Sequence, residues 1–347
     1  MPPNTPIILS FLLLILPFFF LSSFSDPNYN YNNQNNGYAE LRPDFYDESC
    51  PRLPMIIRYH IWAAVQNDSR MAASLLRLNF HDCIVDGCDA SVLLDDTKDM
   101  KGEKKAPGNV NSLRGFEVID GIKADVETYC PQTVSCADIV NLAAREAVYL
   151  VGGPFWHLPL GRRDGLTAST KSVLAQLPSP KASLENNTAK FISKGLDLKD
   201  LVVLSGAHTI GFARCVTFKG RLFNYKGSGN PDPDINAAML SDLRSMCPNR
   251  NDGTNANLVP LDVASYDRFD NEYYTNLISN VGLLESDQGL MADPQTARMV
   301  RDYSFDLNLF FNDFAESMMR MSMAGVLTGQ DGQIRKECGA VNNDDGY

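Results

Sequence analysis

The chain has 347 residues, of which 42 are acidic and 31 are basic, and its formal net charge at pH 7 is −11. This charge disfavours nucleic acid and acidic polymers as electrostatic partners. The length allows a large hydrophobic core in one or two domains. Eight cysteines, an even number, are consistent with four disulfides formed in an oxidising compartment.

The N-terminus predicts a cleaved signal peptide over residues 1–25. Residues 7–24 are almost without polar side chains, and Ser-Phe-Ser at 23–25 is the small–any–small pattern that signal peptidase recognises. A membrane anchor is the alternative, because the apolar run is close to the length of about 18 residues that spans a bilayer. Pro17 and the lack of flanking Lys or Arg favour cleavage. No later segment could span a bilayer.

An Asn-rich extension and then a series of helices follow the signal peptide. Residues 26–39 are polar, without apolar periodicity, and are predicted to be disordered. Helical patterns then recur between about residues 55 and 324, whereas strand-like alternation is scarce. The fold class is therefore predicted to be all-α, mostly helical, with minor β pieces near 158–161 and 332–335.

The most informative stretch is 77–91, which reads RLNFHDCIVDGCDAS. The run before it, 71–76, is rich in helix formers, so that Arg77 and His81 are four positions apart on one helix and share a face. An isolated histidine is more often a core residue. A cation beside an imidazole, however, suits a site in which one group moves a proton and the other stabilises developing negative charge.

Hard oxygen donors follow directly after His81. Asp82, Asp89 and Ser91 surround Cys83 and Cys88. Gly87 lets the backbone turn back, so that carbonyl groups can join them. This pattern predicts a calcium loop that is closed by a short disulfide. Zinc is the alternative, disfavoured because the cysteines are scattered along a chain with a secretory signal.

A second histidine lies in an unusual setting. Residues 200–213, DLVVLSGAHTIGFA, form an apolar helical pattern in which the small residues 205–207 keep the backbone thin before His208. A flat ligand could approach closely there. The two other histidines are expected in ordinary settings, His60 on an amphipathic helix and His157 in a packed loop.

Three weaker signals complete the pattern. Asp262, Ser265 and Asp270 place oxygens at offsets of three and eight, which alone is a weak metal signal. Sequons at Asn67 (NDS) and Asn186 (NNT) are candidates for glycosylation.

Six motifs and the eight cysteines together resemble the class III plant secretory haem peroxidases from about Phe45 to Asn342. The motifs are RLNFHDC…GCDAS, VSCAD, GGPFWHLPLGRRD, LSGAHTIG, FDNEYY and SDQGL. The resemblance implies a peroxidase domain over 40–342 and a short tail over 343–347. It also implies one haem b between a distal half and a proximal half.

The resemblance implies a role for each special side chain. His81 would act as acid and base toward hydrogen peroxide, Arg77 would stabilise charge, and His208 would be the axial iron ligand. Asn109 and Glu103 would support the distal side. Asp287 would accept the second N–H of His208, although from the sequence alone it could equally be a loop acid. Small phenolic donors would be oxidised at a haem edge near Pro178.

The resemblance further implies two calcium ions and a disulfide pairing that the sequence alone leaves open. The distal calcium ligands would be Asp82, Val85, Gly87, Asp89 and Ser91, and the proximal ones Thr209, Asp262, Ser265 and Asp270. The disulfides would be Cys50–Cys130, Cys83–Cys88, Cys136–Cys338 and Cys215–Cys247. The chain departs from the usual family residues at Asn79, Ile84, Ser265 and Tyr266.

These features predict a secreted, monomeric enzyme of the extracellular space and cell wall, without stable membrane association, that responds to oxidative stress. Two other classes of protein remain open from the residues. One is a secreted metal-dependent hydrolase that uses His81 and carboxylates, which lacks a paired HExxH motif. The other is a non-enzymatic, disulfide-linked calcium-binding wall protein, which would not need Arg77 and His81 on one face.

Overall fold

The computed structural model describes residues 41–250 and 252–343. The predicted signal peptide, the Asn-rich extension and all but the first residue of the predicted tail lie outside the described residues. Within them the fold is mostly helical, as predicted. The helices are α1 Leu53–Asn67, α2 Met71–Ile84, α3 Phe116–Tyr129, α4 Cys136–Leu150, α5 Thr170–Gln176, α6 Leu184–Ile192, α7 Leu198–Ser205, α8 Cys215–Phe223, α9 Ala237–Met246, α10 Glu272–Ile278, α11 Glu285–Gln288, α12 Pro294–Phe305 and α13 Leu307–Met321.

The two predicted β segments are present as isolated bridges, and the sheet of the described residues lies elsewhere. The described residues contain one two-stranded antiparallel sheet, formed by β1 (Phe212–Arg214) and β2 (Leu258–Pro260). The segments 158–161 and 332–335 contribute only isolated bridges, at Leu160 and Gln333. A three-residue strand is too short to show alternation of apolar and polar side chains, so its position depends on pairing with a distant segment.

Helix α2 is held against the core by helix α4. Leu75, Leu76 and Leu78 of α2 are buried, and α4 is buried on nearly all sides. Burial of one such leucine contributes about 1.5–3 kcal/mol. The hydroxyl of Ser135 caps the start of α4 by accepting a hydrogen bond from the Asp138 N–H at 3.0 Å. The helix that carries Arg77 and His81 therefore rests on a rigid support.

A buried ion pair fastens α4 to the segment after α13. Arg162 Nη1 lies 2.8 Å from Asp138 Oδ1, and both side chains are fully buried. Arg162 also donates to the carbonyl of Ser322, and Tyr46 donates to Asp138. Because its main hydrogen-bonding groups are satisfied, the pair can be buried without leaving a charge unpaired.

Gly206 lets two other helices pack against the turn that carries His208, and the predicted close approach of a flat ligand to this segment stays a prediction. The chain leaves α7 as a short 3₁₀-helix, Gly206–Thr209. A Cβ at Gly206 would lie 2.5 Å from the Tyr274 hydroxyl and 2.6 Å from the Phe310 ring. The glycine therefore allows α10 and α13 to pack against the turn that carries His208.

All eight cysteines lie in the described part of the chain and form four disulfides, in the pairs that the resemblance implies. Cys136–Cys338 joins residues 202 positions apart and ties the C-terminal segment to the start of α4. Cys83–Cys88 closes the short loop after α2, and Cys215–Cys247 links α8 to the residue after α9. No helix of the described residues is long and apolar enough to cross a membrane.

Candidate active site

The imidazole of His81 is fixed by a buried amide. His81 is 5% exposed, and its Nδ1 lies 2.7 Å from Oδ1 of Asn109. The amide nitrogen of Asn109 donates to the carbonyl of Glu103 at 3.0 Å, which orients the amide oxygen toward the histidine. Nδ1 must then carry the proton, because an amide oxygen can only accept. The other ring nitrogen, Nε2, is left with its lone pair.

The surroundings of His81 favour its neutral form. Burial and then the charge of Arg77 lower its pKa well below the ordinary value, and the hydrogen bond to Asn109 opposes this only in part. A neutral imidazole with a free lone pair is a proton acceptor. The geometry therefore leaves Nε2 able to accept a proton.

Arg77 is held by the turn that also carries Asn109. Its Nη1 donates to the carbonyl of Ser112 at 2.9 Å, and its Nη2 donates to the carbonyl of Gly108 at 3.0 Å. Burial and the nearby charge of Arg214 lower the pKa of Arg77 to about 10, so that it remains a cation at neutral pH. The structure thus brings together Arg77 and His81, which the sequence places on one helix face, and Asn109, which only the family resemblance implies.

His208 is paired with a carboxylate instead of an amide. Its Nδ1 lies 2.8 Å from Oδ1 of Asp287, which sits on α11 and is 3% exposed. Oδ2 of Asp287 accepts from the N–H of Leu284 at 3.2 Å. Burial alone would lower the pKa of His208, but the charge and hydrogen bond of Asp287 outweigh it and raise that pKa. Nothing in the sequence around either residue indicates that His208 and Asp287 form a pair.

The loop after His81 concentrates buried oxygen atoms, and both carboxylate oxygens of Asp82 accept hydrogen bonds, from the N–H groups of Ala90 and Val92. Asp82 is fully buried, and the hydroxyl of Ser91 is buried without a hydrogen-bond partner in the described structure. Burial and the charge of Asp89 raise the pKa of Asp82 well above its ordinary value. The carbonyls of Val85 and Gly87 each accept one backbone hydrogen bond and keep a second lone pair. These donors fit a hard cation.

Glu103 lies behind this loop, and both of its carboxylate oxygens are buried without a hydrogen-bond partner in the described structure. Burial raises its pKa to about 8. Zinc at this place is excluded because Cys83 and Cys88 are joined in a disulfide and cannot act as thiolate ligands. The distal oxygens are therefore of the type that calcium prefers.

A second set of oxygens surrounds the residue after His208. The hydroxyls of Thr209 and Ser265 donate to Oδ1 of Asp270, at 3.1 and 2.9 Å. Asp262 Oδ2 lies 3.4 Å from the same threonine hydroxyl. In the described ranges no group of three or more His, Cys, Asp or Glu side chains forms a metal cluster. Hydroxyls and carboxylates instead make up this set, which fits calcium better than a transition metal.

The remaining predicted residues lie outside these clusters. Pro178 is half-buried in the loop between α5 and α6, and Asn67 and Asn186 are exposed. His60 lies on α1 with Nε2 2.7 Å from Asp125. His157 is exposed beside Phe155, so its predicted packed environment was wrong.

Sequence reasoning missed two contributions to the site. One is the pair of backbone carbonyls at 108 and 112 that hold Arg77. The other is Tyr273, whose hydroxyl donates to Oδ1 of Asp287 at 3.1 Å. The motif FDNEYY contains Tyr273, but nothing local to it indicates which of its two tyrosines reaches the carboxylate.

Known proteins resemble this chain over most of its length. The peroxidase family model matches residues 57–306. Peroxidase 10 of Arabidopsis thaliana is 60% identical over 303 residues, which cover 87% of this chain and 86% of that protein. Peroxidase N of Armoracia rusticana is 51% identical over 308 residues, covering 88% and 92% of the two chains, respectively.

The chain therefore belongs to the peroxidase family. It is an enzyme, a haem peroxidase that uses hydrogen peroxide to oxidise its substrates. The hydrolase and the non-enzymatic wall protein are thereby set aside.

Proposed function

We propose that His81 is the acid and base of this peroxidase, that Arg77 is its charge-stabilising cation, and that His208 is the axial ligand of a single haem b. The observation that carries the proposal is the contrast between the two imidazoles. Both use Nδ1 for a fixed hydrogen bond, but His81 pairs with a neutral amide and His208 with a carboxylate. One ring is thereby suited to accept a proton and the other to donate electron density to a metal.

The residues around His208 fit a haem iron. Its side chain is 36% exposed although the carboxylate that holds it is almost fully buried, so the ring is anchored at one nitrogen and open elsewhere. Nε2 would bind the iron, as in other haem proteins with a proximal histidine. When bound, the haem supplies the redox chemistry, accepting oxidising equivalents from peroxide and passing them to donors one electron at a time.

The distal residues move a proton between the two oxygens of the substrate. His81 accepts a proton at Nε2 from one peroxide oxygen and returns it to the other, which leaves as water. Arg77 stabilises the negative charge that develops on the departing oxygen, because its guanidinium stays protonated. Asn109 keeps the proton on Nδ1, so that Nε2 remains the reactive nitrogen.

We also propose two calcium ions, one beside each histidine. The distal ion would take the carboxylates of Asp82 and Asp89, the hydroxyl of Ser91 and the carbonyls of Val85 and Gly87. The buried Ser91 hydroxyl supports this site, since an unpaired buried hydroxyl is costly without such a partner. The proximal ion would take its oxygens from Thr209, Asp262, Ser265 and Asp270, and Glu103 would support the distal site.

The wider proposal concerns donors and location. Small phenolic donors would react near Pro178, and the protein would act as a monomer outside the cell after cleavage of residues 1–25. The four disulfides support an oxidising compartment. The exposure of Asn67 and Asn186 is compatible with glycosylation. The peroxidase domain would extend over 40–342.

An absorption spectrum of the purified holoprotein tests the axial ligand. We expect a Soret band that His208→Ala alters or abolishes and that added imidazole partly restores. His60→Ala is the matched control, because His60 also pairs with an aspartate but lies on α1. An unchanged spectrum in the His208 variant would rule out its assignment as the iron ligand.

A further inference from the structure

The carboxylate of Asp287 accepts hydrogen bonds from three donors. Oδ1 accepts from Nδ1 of His208 at 2.8 Å and from the hydroxyl of Tyr273 at 3.1 Å. Oδ2 accepts from the N–H of Leu284 at 3.2 Å. Each additional donor stabilises the charged carboxylate and makes it a weaker base toward the others. The strength of the His208–Asp287 hydrogen bond therefore depends on what Tyr273 does.

The hydroxyl of Tyr273 donates its one hydrogen bond to this carboxylate. Tyr273 is 2% exposed, and its ring meets the His208 ring edge-on with centroids 6.2 Å apart. A tyrosine hydroxyl has one proton to donate, and this one goes to Asp287. Burial and the charge of Asp287 raise the pKa of Tyr273 well above its ordinary value, so it stays a neutral donor.

We propose that Tyr273 is a positioning residue that limits how far Asp287 polarises the axial histidine, and that it thereby raises the reduction potential of the bound iron. The proposal rests on the assignment of His208 as the axial ligand. By drawing charge away from Oδ1, Tyr273 weakens the pull of Asp287 on the Nδ1 proton of His208. The imidazole then keeps less imidazolate character and stabilises ferric iron less than it would with Asp287 alone.

The neighbouring residue supplies a matched control. Tyr274 is also fully buried, but its hydroxyl lies 3.2 and 3.3 Å from the carbonyls of Val202 and Val203. The variants Tyr273→Phe and Tyr274→Phe therefore remove the same atom from adjacent positions of α10. Only the first removes a hydrogen bond to the carboxylate of Asp287.

The experiment compares the holoenzymes by redox titration and by the iron–histidine stretching frequency. Tyr273→Phe is expected to shift the ferric/ferrous equilibrium toward ferric iron by roughly three- to tenfold, in line with the loss of one hydrogen bond. A tenfold shift of a one-electron couple corresponds to about 59 mV. The stretching frequency should rise, because a more anionic imidazole binds iron more strongly. Tyr274→Phe should change neither value.

A further variant, Asp287→Asn, distinguishes a failure of this inference from a failure of the axial assignment on which it rests. Asp287→Asn should shift the potential in the opposite direction to Tyr273→Phe. If Asp287→Asn has this effect and Tyr273→Phe has none, the role of Tyr273 is refuted while the axial assignment stands. If neither variant changes the potential or the stretching frequency, the proximal assignment itself fails, and this inference fails with it.

Two further results complete the test. Equal shifts in Tyr273→Phe and Tyr274→Phe would overturn the inference, because the effect would then arise from packing. If Tyr273→Phe does not hold haem, Tyr273→3-fluorotyrosine keeps the hydroxyl and makes it a stronger donor. It must then move the potential upward, and a downward or absent shift would refute the proposal.

Discussion

The distal and proximal histidines of this peroxidase differ in the partner of a single nitrogen. Nδ1 of His81 faces the neutral amide of Asn109, whereas Nδ1 of His208 faces the carboxylate of Asp287. The pKa of His81 is lowered by burial and by Arg77, and that of His208 is raised by Asp287 against the effect of burial. In the proposed assignment, the same side chain serves as a neutral base in one half and as an electron-rich ligand in the other.

The two halves also differ in how their oxygen-rich loops are satisfied. In the proximal loop the hydroxyls of Thr209 and Ser265 both donate to Asp270. In the distal loop the Ser91 hydroxyl has no partner among the described residues, nor have the carboxylate oxygens of Glu103. The distal loop is therefore expected to depend more on its cation for its own stability.

The largest effect is expected for a variant that changes only the distal half. His81→Ala should retain haem but slow the reaction with hydrogen peroxide by about 10² to 10⁴-fold, because it removes a positioned acid and base. Stopped-flow absorption measures this rate, and His60→Ala serves as the control. A near-wild-type rate in His81→Ala would contradict the distal assignment.

Removal of calcium tests whether both loops hold their histidines in place. Each proposed ion is adjacent to a histidine, since Asp82 follows His81 and Thr209 follows His208. A displacement of about 1 Å can cost about 10²-fold in rate, so chelation should slow the peroxide reaction by up to that factor and change the haem spin-state bands.

Single substitutions distinguish the two calcium sites. Ser91→Ala and Ser265→Ala should each reduce the calcium content by up to one ion per chain, as measured by atomic absorption. If Ser91 is a ligand of the distal ion, the Ser91 variant should lose that ion at a lower chelator concentration than the unsubstituted protein does. Rates and spectra that stay constant in demonstrably calcium-free protein would refute a structural role for the ions.

The substitution Asn109→Asp gives His81 a carboxylate partner, like the one that His208 has in Asp287. A carboxylate beside His81 should raise the pKa of that histidine by about 1–3 units. Because the reaction needs the neutral imidazole, activity is present above this pKa and is lost as the pH falls through it. The acid limb of the pH–rate profile should therefore move to higher pH. Asn111→Asp, an exposed position in the same turn, should leave the profile unchanged.

The last comparison concerns the disulfides of the two halves. Cys83–Cys88 spans 5 positions and Cys215–Cys247 spans 32. In the chain-entropy account, their removal by paired Cys→Ser substitutions should cost roughly 2 and roughly 4 kcal/mol of unfolding free energy. Urea unfolding followed by fluorescence measures the difference. A greater loss from the shorter loop would show that Cys83–Cys88 acts mainly by bracing the native distal loop.

Features that depend on neighbouring residues were predictable. The helix formers of 71–76 and the absence of Gly and Pro there predict α2, and the four-residue spacing places Arg77 and His81 on one face of it. Asp82, Asp89 and Ser91 were recognisable as oxygen donors because they lie within ten positions of one another around a glycine. The packing role of Gly206 was not predictable, since the hydroxyl and the ring that it accommodates belong to α10 and α13.

The amino-acid sequence by itself determined the helical class of the fold, the helix that carries Arg77 and His81, and the candidate ligands around each histidine. Only the tertiary structure decided which group faces each Nδ1, because Asn109 is 28 positions from His81 and Asp287 is 79 positions from His208. The same holds for the choice of Tyr273 over Tyr274 as the donor to Asp287. Helix periodicity arises from contacts within one turn, whereas these pairings join segments that are distant in the chain. The loop before α3 meets α2 at His81, and α10 and α11 pack against the turn after α7 at His208, which no local pattern encodes.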